Sequence, residues 1–318
     1  MERLKVQTLS SSKSPAKSPK RPPPPPLAAR VKVAVRVRPP VASNGNEVPL
    51  LYISEAEPET GANADNVIQF QLDKTQKSFR FDHIFSPEAT QAEAYNAALQ
   101  PLLVSLLCGF NVTVLAYGQT GSGKTYTMGG AAVGSGNDDG LILRFLRDLF
   151  DALRNEASMK TTIKVSFLEI YCDEIRSERV KKTLLEGHGM KEGSHINVGL
   201  LALGNVINAL GSRQRPLQRL NSTGVSGRGT GSGNVTPRHV PYRSSKLTRL
   251  LRDALGGNSV TLFIACVSPE ITNGNETLNT LQYANRARSI QNKAQKNVEE
   301  AVTEDMIVDA TSVDLVTE

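Results

Sequence analysis

Gly118-Gln119-Thr120-Gly121-Ser122-Gly123-Lys124-Thr125 is the stretch whose reading decides the fold. All eight positions match a phosphate-binding loop. The residues before it, Asn111 to Tyr117, read as a short apolar strand, with Val112, Val114 and Leu115 leading into Tyr117. The residues after it can start a helix. Three glycines let the backbone turn tightly and bring its N–H groups up to phosphate oxygens. Lys124 can reach the β- and γ-phosphates, and the Thr125 hydroxyl can ligate Mg²⁺. A nucleotide with Mg²⁺ is therefore the ligand that these residues predict.

Working outward, strand and helix patterns alternate. Val31–Val37 alternates apolar and polar residues and ends at Pro39 and Pro40, as a half-buried strand does. Further strands are predicted at Ser78–Phe85, Thr162–Tyr171 and Val260–Val267. Helices are predicted at Thr90–Phe110, Leu141–Ala157, Glu192–Leu210, Ser244–Leu255 and Glu276–Gln295. Alternation around one phosphate loop implies an α/β fold, a mostly parallel sheet with helices on both faces.

Charge divides the chain unevenly. Residues 1–30 hold seven Lys/Arg and one Asp/Glu, with a proline run at Pro22–Pro26, and read as a disordered basic arm. Residues 31–296 read as the folded body. A Gly/Ser-rich stretch at 212–238 reads as an inserted surface loop, because no strand precedes it and no Lys-Ser/Thr pair closes it. Residues 297–318 hold seven acids and no Lys/Arg, an acidic tail. From Gly193 to Arg252 there is no acid at all, and nine Lys/Arg fall between Gly211 and Arg252. Such a one-signed stretch favours encounter with an acidic partner. Three scattered cysteines suggest no disulfide framework or metal set, which points to a reducing, cytoplasmic setting. No apolar run is long enough for a membrane span.

The motifs in their order resemble the kinesin motor domain, over about residues 31–296. Arg36-Val37-Arg38-Pro39-Pro40 is similar to the Arg-x-Arg-Pro that lines the adenine pocket there. Phe81-Asp82-His83-Ile84-Phe85, Ala116–Gly121 and Ser166–Tyr171 are similar to further family signatures. Asn197 with Leu200–Ile207 resembles the relay helix that follows switch II. Pro241-Tyr242-Arg243, Ser245–Arg249 and Leu255–Ser259 resemble the microtubule-facing loop and helix. Glu276–Leu281 with Tyr283–Ala287 resembles the last helix before the neck linker. Ser177–Thr183 and Leu201–Ile207 lean toward the chromokinesin-like subfamily.

The resemblance implies ATP with Mg²⁺ as cofactors and microtubules as partner, hence the microtubule cytoskeleton as location. It puts ATP against Gly118–Thr125, with Thr125 on the metal and Arg36, Arg38, Pro39 and Tyr126 on the adenine side. It puts the microtubule against Arg243, Lys246, Arg249 and Arg252, with Arg238 and His239 in support. Neither a membrane nor nucleic acid is expected as partner. No sustained heptad pattern follows Gln295, so no coiled coil is expected from this chain, which is read as a monomer.

One departure matters. Family members carry switch I, Asn-x-x-Ser-Ser-Arg-Ser-His, and switch II, Asp-Leu-Ala-Gly, directly before Ser-Glu-Arg. Here Ile175-Arg176 runs straight into Ser177-Glu178-Arg179. Asp253-Ala254-Leu255-Gly256 has the Asp-x-x-Gly form but belongs to the end of the basic helix. The strands that carry both switches, which belong beside the phosphate-loop strand in the resembled fold, are missing. The resemblance thus implies a kinesin-type ATPase fold with hydrolysis impaired, and no catalytic residue can be assigned. Two alternatives stay open: a non-catalytic microtubule-binding module, and an incomplete gene product that does not fold.

Overall fold

The computed structural model describes residues 27–41, 50–54, 66–130, 138–155, 161–166, 168–171, 173–177, 189–211 and 239–297. In chain order the elements are β1 (Leu27–Arg30), β2 (Lys32–Val37), β3 (Leu51–Ser54), β4 (Asn66–Leu72), β5 (Thr75–Phe81) and β6 (His83–Phe85). Next, α1 (Gln91–Ala94) runs through one π-helical turn into α2 (Gln100–Leu107). Then come β7 (Val112–Tyr117), α3 (Lys124–Gly129), α4 (Leu141–Asn155), β8 (Leu168–Tyr171), β9 (Glu174–Ser177) and α5 (Gly189–Gly211). The last elements are α6 (Lys246–Leu250), β10 (Val260–Val267), α7 (Gly274–Ala287) and β11 (Gln291–Ala294).

The central sheet has the order β6-β2-β10-β7 and all its pairs are parallel. Its two faces follow from the two-residue period of a strand. Val33, Val35, Val37, Phe263 and Ala265 point to one side and pack with Leu203, Ile207, Leu281 and Ala284 of α5 and α7. Ala34, Leu262, Ile264 and Cys266 point to the other and pack with Tyr95, Leu99, Leu102 and Leu141 on the α1–α2 and α4 side. A mostly parallel sheet covered by helices on both faces is what the motif order predicted.

Strand β2 was expected to be half-buried. Instead every residue from Val33 to Val37 is buried, Arg36 included, because β2 lies inside the sheet with a neighbour on each edge. An interior parallel strand meets core on both faces.

Three further expectations change. Leu27–Arg30, placed in the basic arm, forms β1 and pairs antiparallel with β11. The last helix ends at Ala287 rather than Gln295, because Ile290 is buried and Asn292 turns inward. There the Asn292 side chain donates to Ala254 O at 2.9 Å and Ser259 O at 2.7 Å, which favours an extended segment over another helical turn. Of the strand predicted at Thr162–Tyr171, residues 162–166 are irregular, and among the described residues Leu168–Tyr171 pairs only with β9, in a separate hairpin. The stretch at 212–238, residues 1–26 and residues 298–318 lie outside the described residues.

Strand β7 is the outermost strand of the central sheet, paired with β10 alone among the described residues. The strand that leads into the phosphate loop therefore has one edge without a partner among the described residues.

Candidate functional site

The sheet delivers Tyr117 to the loop, and the loop turns on glycine. Gly118, Gly121 and Gly123 have φ of +153°, +78° and +96°. A Cβ on Gly118 would stand 2.1 Å from the Cys266 carbonyl oxygen of β10, so this position has room for glycine only. Ser122 Oγ donates to Gln119 O at 2.8 Å and pins the turn. Lys124 Nζ donates to Gly118 O at 3.0 Å and to Gln119 O at 2.6 Å, so its ammonium lies across the mouth of its own loop. Burial pulls the Lys124 pKa below its ordinary value, with the Cys266 thiol opposing the shift. Thr120, Gly121 and Thr125 are exposed.

These residues fit a phosphate group: glycine backbone leaves the approach unobstructed, and Lys124 supplies the counter-charge. For Mg²⁺ the described residues offer the Thr125 hydroxyl. Among them no group of three or more His, Cys, Asp or Glu could hold a metal ion. Mg²⁺ commonly keeps several waters and takes its other ligands from substrate phosphates, so one hydroxyl is a compatible but sparse protein contribution.

Beside the loop lies a cleft of about 420 Å³, lined by Arg36, Arg38, Pro39, Ser122, Gly123 and Tyr126 among others. The fold thus brings the end of β2 against the phosphate loop. The two arginines do different work from open ligand contacts. Arg36 is 6% exposed and donates to Gln91 Oε1 at 2.8 Å and Ala89 O at 3.3 Å. Its guanidinium also sits 5.2 Å from the centre of the Tyr126 ring. Burial lowers the Arg36 pKa, with Tyr126 and Cys266 opposing.

Arg38 donates to Glu270 Oε2 at 2.6 Å and Pro39 O at 2.9 Å, while its Nε is buried with no hydrogen-bond partner. Although burial pushes the Glu270 carboxyl up, the Ser268 hydroxyl, the Val41 N–H and Arg38 outweigh it and hold the pKa low. Tyr126 stays 39% exposed and offers the flat surface of the cleft.

Sequence reasoning missed Gln91, Thr127, Cys266 and Glu270. Gln91 bridges the wall, accepting from Arg36 and donating to Tyr126 O at 2.7 Å. Nothing in its local sequence marks it. Glu270 had a signal: it follows the carboxyl end of a buried parallel strand, where ligand sites of open α/β sheets collect.

A second, basic cleft of about 800 Å³ is lined by His239, Val240, Tyr242, Arg243, Arg249 and Arg252. Short helix α6 holds it. Ser245 caps α6, its Oγ accepting from the Thr248 N–H at 3.0 Å. The Lys246 N–H donates to Asp173 Oδ1 at 2.7 Å, which ties the β8–β9 turn to the same place. The side chains of His239, Arg243, Lys246, Arg249 and Arg252 are exposed, and the four cations form no ion pair among the described residues. Arg238 lies outside the described residues.

The two clefts are joined through aromatic packing. Tyr117, directly before Gly118, meets Tyr283 of α7 edge-on at 5.8 Å, and the Tyr283 hydroxyl fills a notch at Gly204 of α5. Packing of α5 against α6 completes the connection.

Comparisons with known proteins bear on this arrangement. The kinesin motor domain profile matches residues 36–177 and 176–290, two segments that meet at the Arg176/Ser177 junction. Chromosome-associated kinesin KIF4 of Xenopus laevis is 34% identical over 372 residues, covering 86% of this chain and 28% of that protein. That aligned length exceeds the 318 residues of this chain, so the relative carries sequence that is absent here. Kinesin-like protein KIF27 of Homo sapiens is 30% identical over 372 residues, covering 84% of this chain and 24% of that protein. The chain spans about a quarter of the length of these relatives. A solved fast kinesin, described for its ATPase mechanism and interactions with microtubules, superposes with a TM-score of 0.66 at 26% identity, covering 89% of this chain and 99% of the other. No described helix is long and apolar enough to cross a membrane. With its phosphate loop, its Arg-x-Arg-Pro wall and its basic α6 in one order on one sheet, this chain belongs to the kinesin motor domain family.

Proposed function

We propose that this chain binds ATP and docks on microtubules as a kinesin-type motor domain whose hydrolysis is impaired. One observation carries the reading: the strand that delivers the phosphate loop is a sheet edge, with an intact loop at its end and no strand on the side away from β10 among the described residues. In this reading Gly118–Gly123 cradle the phosphates by their backbone N–H groups. Lys124 leaves its two loop carbonyls to meet phosphate charge, and Thr125 orients toward the metal. Mg²⁺, when bound, would neutralise charge between phosphate oxygens. Arg36, Gln91 and Arg38 with Glu270 hold the wall on which Tyr126 and Pro39 meet the base. Arg243, Lys246, Arg249 and Arg252 face the acidic filament, with His239 and Arg238 in support.

Hydrolysis needs more than a cradle. Phosphoryl transfer relies on groups that position the attacking water and on an acidic group that supports the metal. The residues that supply them in the resembled family are absent at the Arg176/Ser177 junction.

Steady-state phosphate release with and without microtubules, combined with co-sedimentation, tests the proposal. The expected result is salt-sensitive co-sedimentation with little stimulated release. Charge reversal of Lys246 and Arg249 together should weaken that binding about tenfold or more, as loss of steering charges does. Robust microtubule-stimulated turnover, or binding indifferent to salt and to the reversal, would sink it.

A further inference from the structure

We propose that the acidic segment from Glu299 to Glu318 docks in the basic cleft beside α6 and competes there with the filament. The inference rests on the proposed docking role of that cleft and adds its regulation.

The first argument is charge. Three arginines and a histidine line the cleft, and these arginines have no ion pair among the described residues. Residues 297–318 carry seven acids and no lysine or arginine. Among the nearby described acids, Asp173 accepts the Lys246 backbone N–H, and Asp253 is exposed. Neither neutralises the cleft.

The second argument is where the chain leaves the fold. Residues 292–295 are stitched to the turn that follows α6. Asn292 donates to Ala254 O at 2.9 Å, the Lys293 N–H to Gly257 O at 2.9 Å, and the Gln295 N–H to Asn258 Oδ1 at 2.6 Å. A Cβ on Gly257 would lie 2.7 Å from Arg252 O, so that turn also carries the arginine at the rim of the cleft. Lys296 then bridges to Phe110 and the Asn297 N–H donates to Gly109 O at 2.9 Å, so the acidic segment departs from the α2–β7 turn, which Asn111 ties to Asn258 of the turn that follows α6.

Reach and effective concentration favour the contact. Twenty residues span up to about 70 Å when extended, while a domain of this size is about 45 Å across. A short tether gives an effective concentration on the order of millimolar. Exposed ion pairs are individually weak, but at that concentration several together suffice to occupy a cleft part of the time. An acidic filament would have to displace them.

The test uses the full chain. Zero-length carbodiimide coupling joins carboxylates to lysine amines, and Lys246 stands one turn from Arg249. The expected product is a link, in the monomer band, between Lys246 and a carboxylate of the segment, lost at high salt. Links confined to Lys293 and Lys296, or none, would overturn the contact. In parallel, a variant with all seven acids changed to their amides is compared with the unchanged chain by microtubule co-sedimentation. It should bind about three- to tenfold more tightly, the gain from removing a tethered competitor. Equal affinity would overturn the competition even if the link forms. If neither protein binds microtubules, the docking role fails instead, and the cross-link alone decides whether the segment occupies the cleft.

Discussion

Strands β10 and β7 lie side by side, pair in parallel and feed the same site, yet they stand in different surroundings. From Thr261 to Val267 every residue of β10 is buried, with β2 on one edge and β7 on the other. In β7 only Thr113 and Leu115 are buried, because one edge has no partner among the described residues. The first strand carries the stability of the sheet, and the second carries the chemistry at its end. The comparison teaches that the glycine turn can stand at the end of a strand that has one partner among the described residues. That turn is supported from the β10 side, at Cys266.

The strongest way to break this comparison is to give β7 a second neighbour. A chimera with a relative's switch segment placed between Arg176 and Ser177 should hydrolyse ATP more than about 10³-fold faster than the unchanged chain, since loss of one preorganised donor costs about 10²–10³-fold and a whole set is absent. Phosphate release measures it, and an unchanged rate would show that the edge is not the cause.

Next comes truncation in the two strands. Phe263→Ala, in β10, should cost about 3–5 kcal/mol in urea unfolding, as large-to-small changes in packed cores do. Val114→Ala, half-buried in β7, should cost roughly 1 kcal/mol. Similar costs would show that the edge strand is as well packed as its neighbour.

Gly118→Ala tests the junction of the two. Its φ and the 2.1 Å approach to Cys266 O leave no relaxed place for a methyl group. It should lose about 2 kcal/mol of stability and bind a fluorescent ATP analogue more than tenfold more weakly. Normal binding would mean that the loop is not held as described.

The smallest effect lies across the sheet at β6. Burial lowers the His83 pKa from its ordinary 6.5, with Asp82 opposing and Lys32 assisting. The folded state then binds that proton less readily than the unfolded chain. Its contribution is intact above about pH 6.5 and is lost as pH falls below it. His83→Gln should flatten the acid limb of the stability profile, and an unchanged limb would assign it to other groups.

Much of this was legible because it is local. The phosphate loop announces itself by residue type, β10 by the apolar run Leu262–Val267, and α6 by its basic stretch, although that helix ends at Leu250 rather than Leu255. The pairing of β1 with β11 was not legible. Leu27–Arg30 follows a proline run, and Gln291–Ala294 is polar enough to read as the end of a helix. Only the antiparallel match of two distant segments makes either of them a strand. Gln91 was invisible for the same reason, since its role comes from Arg36 and Tyr126, 55 and 35 residues away. The predicted strand at Thr162–Tyr171 failed differently. Its pattern is sound, but among the described residues no strand joins it to the central sheet, and its last four residues pair with β9.

The register that sets Ala34 opposite Ile264 has a consequence in time. Strand β2 is made early, and its central neighbour is among the last parts of the body to be made. At cellular synthesis speeds β2 waits roughly ten to fifty seconds for β10 to emerge. Throughout that wait β2 has β6 on one edge only, and Val33, Val35 and Val37 lack the cover of α5 and α7. A ribosome carrying this chain thus displays part of an apolar ribbon until β10 emerges, so shielding by chaperones, more than any later search for the native state, should set the yield of folded protein.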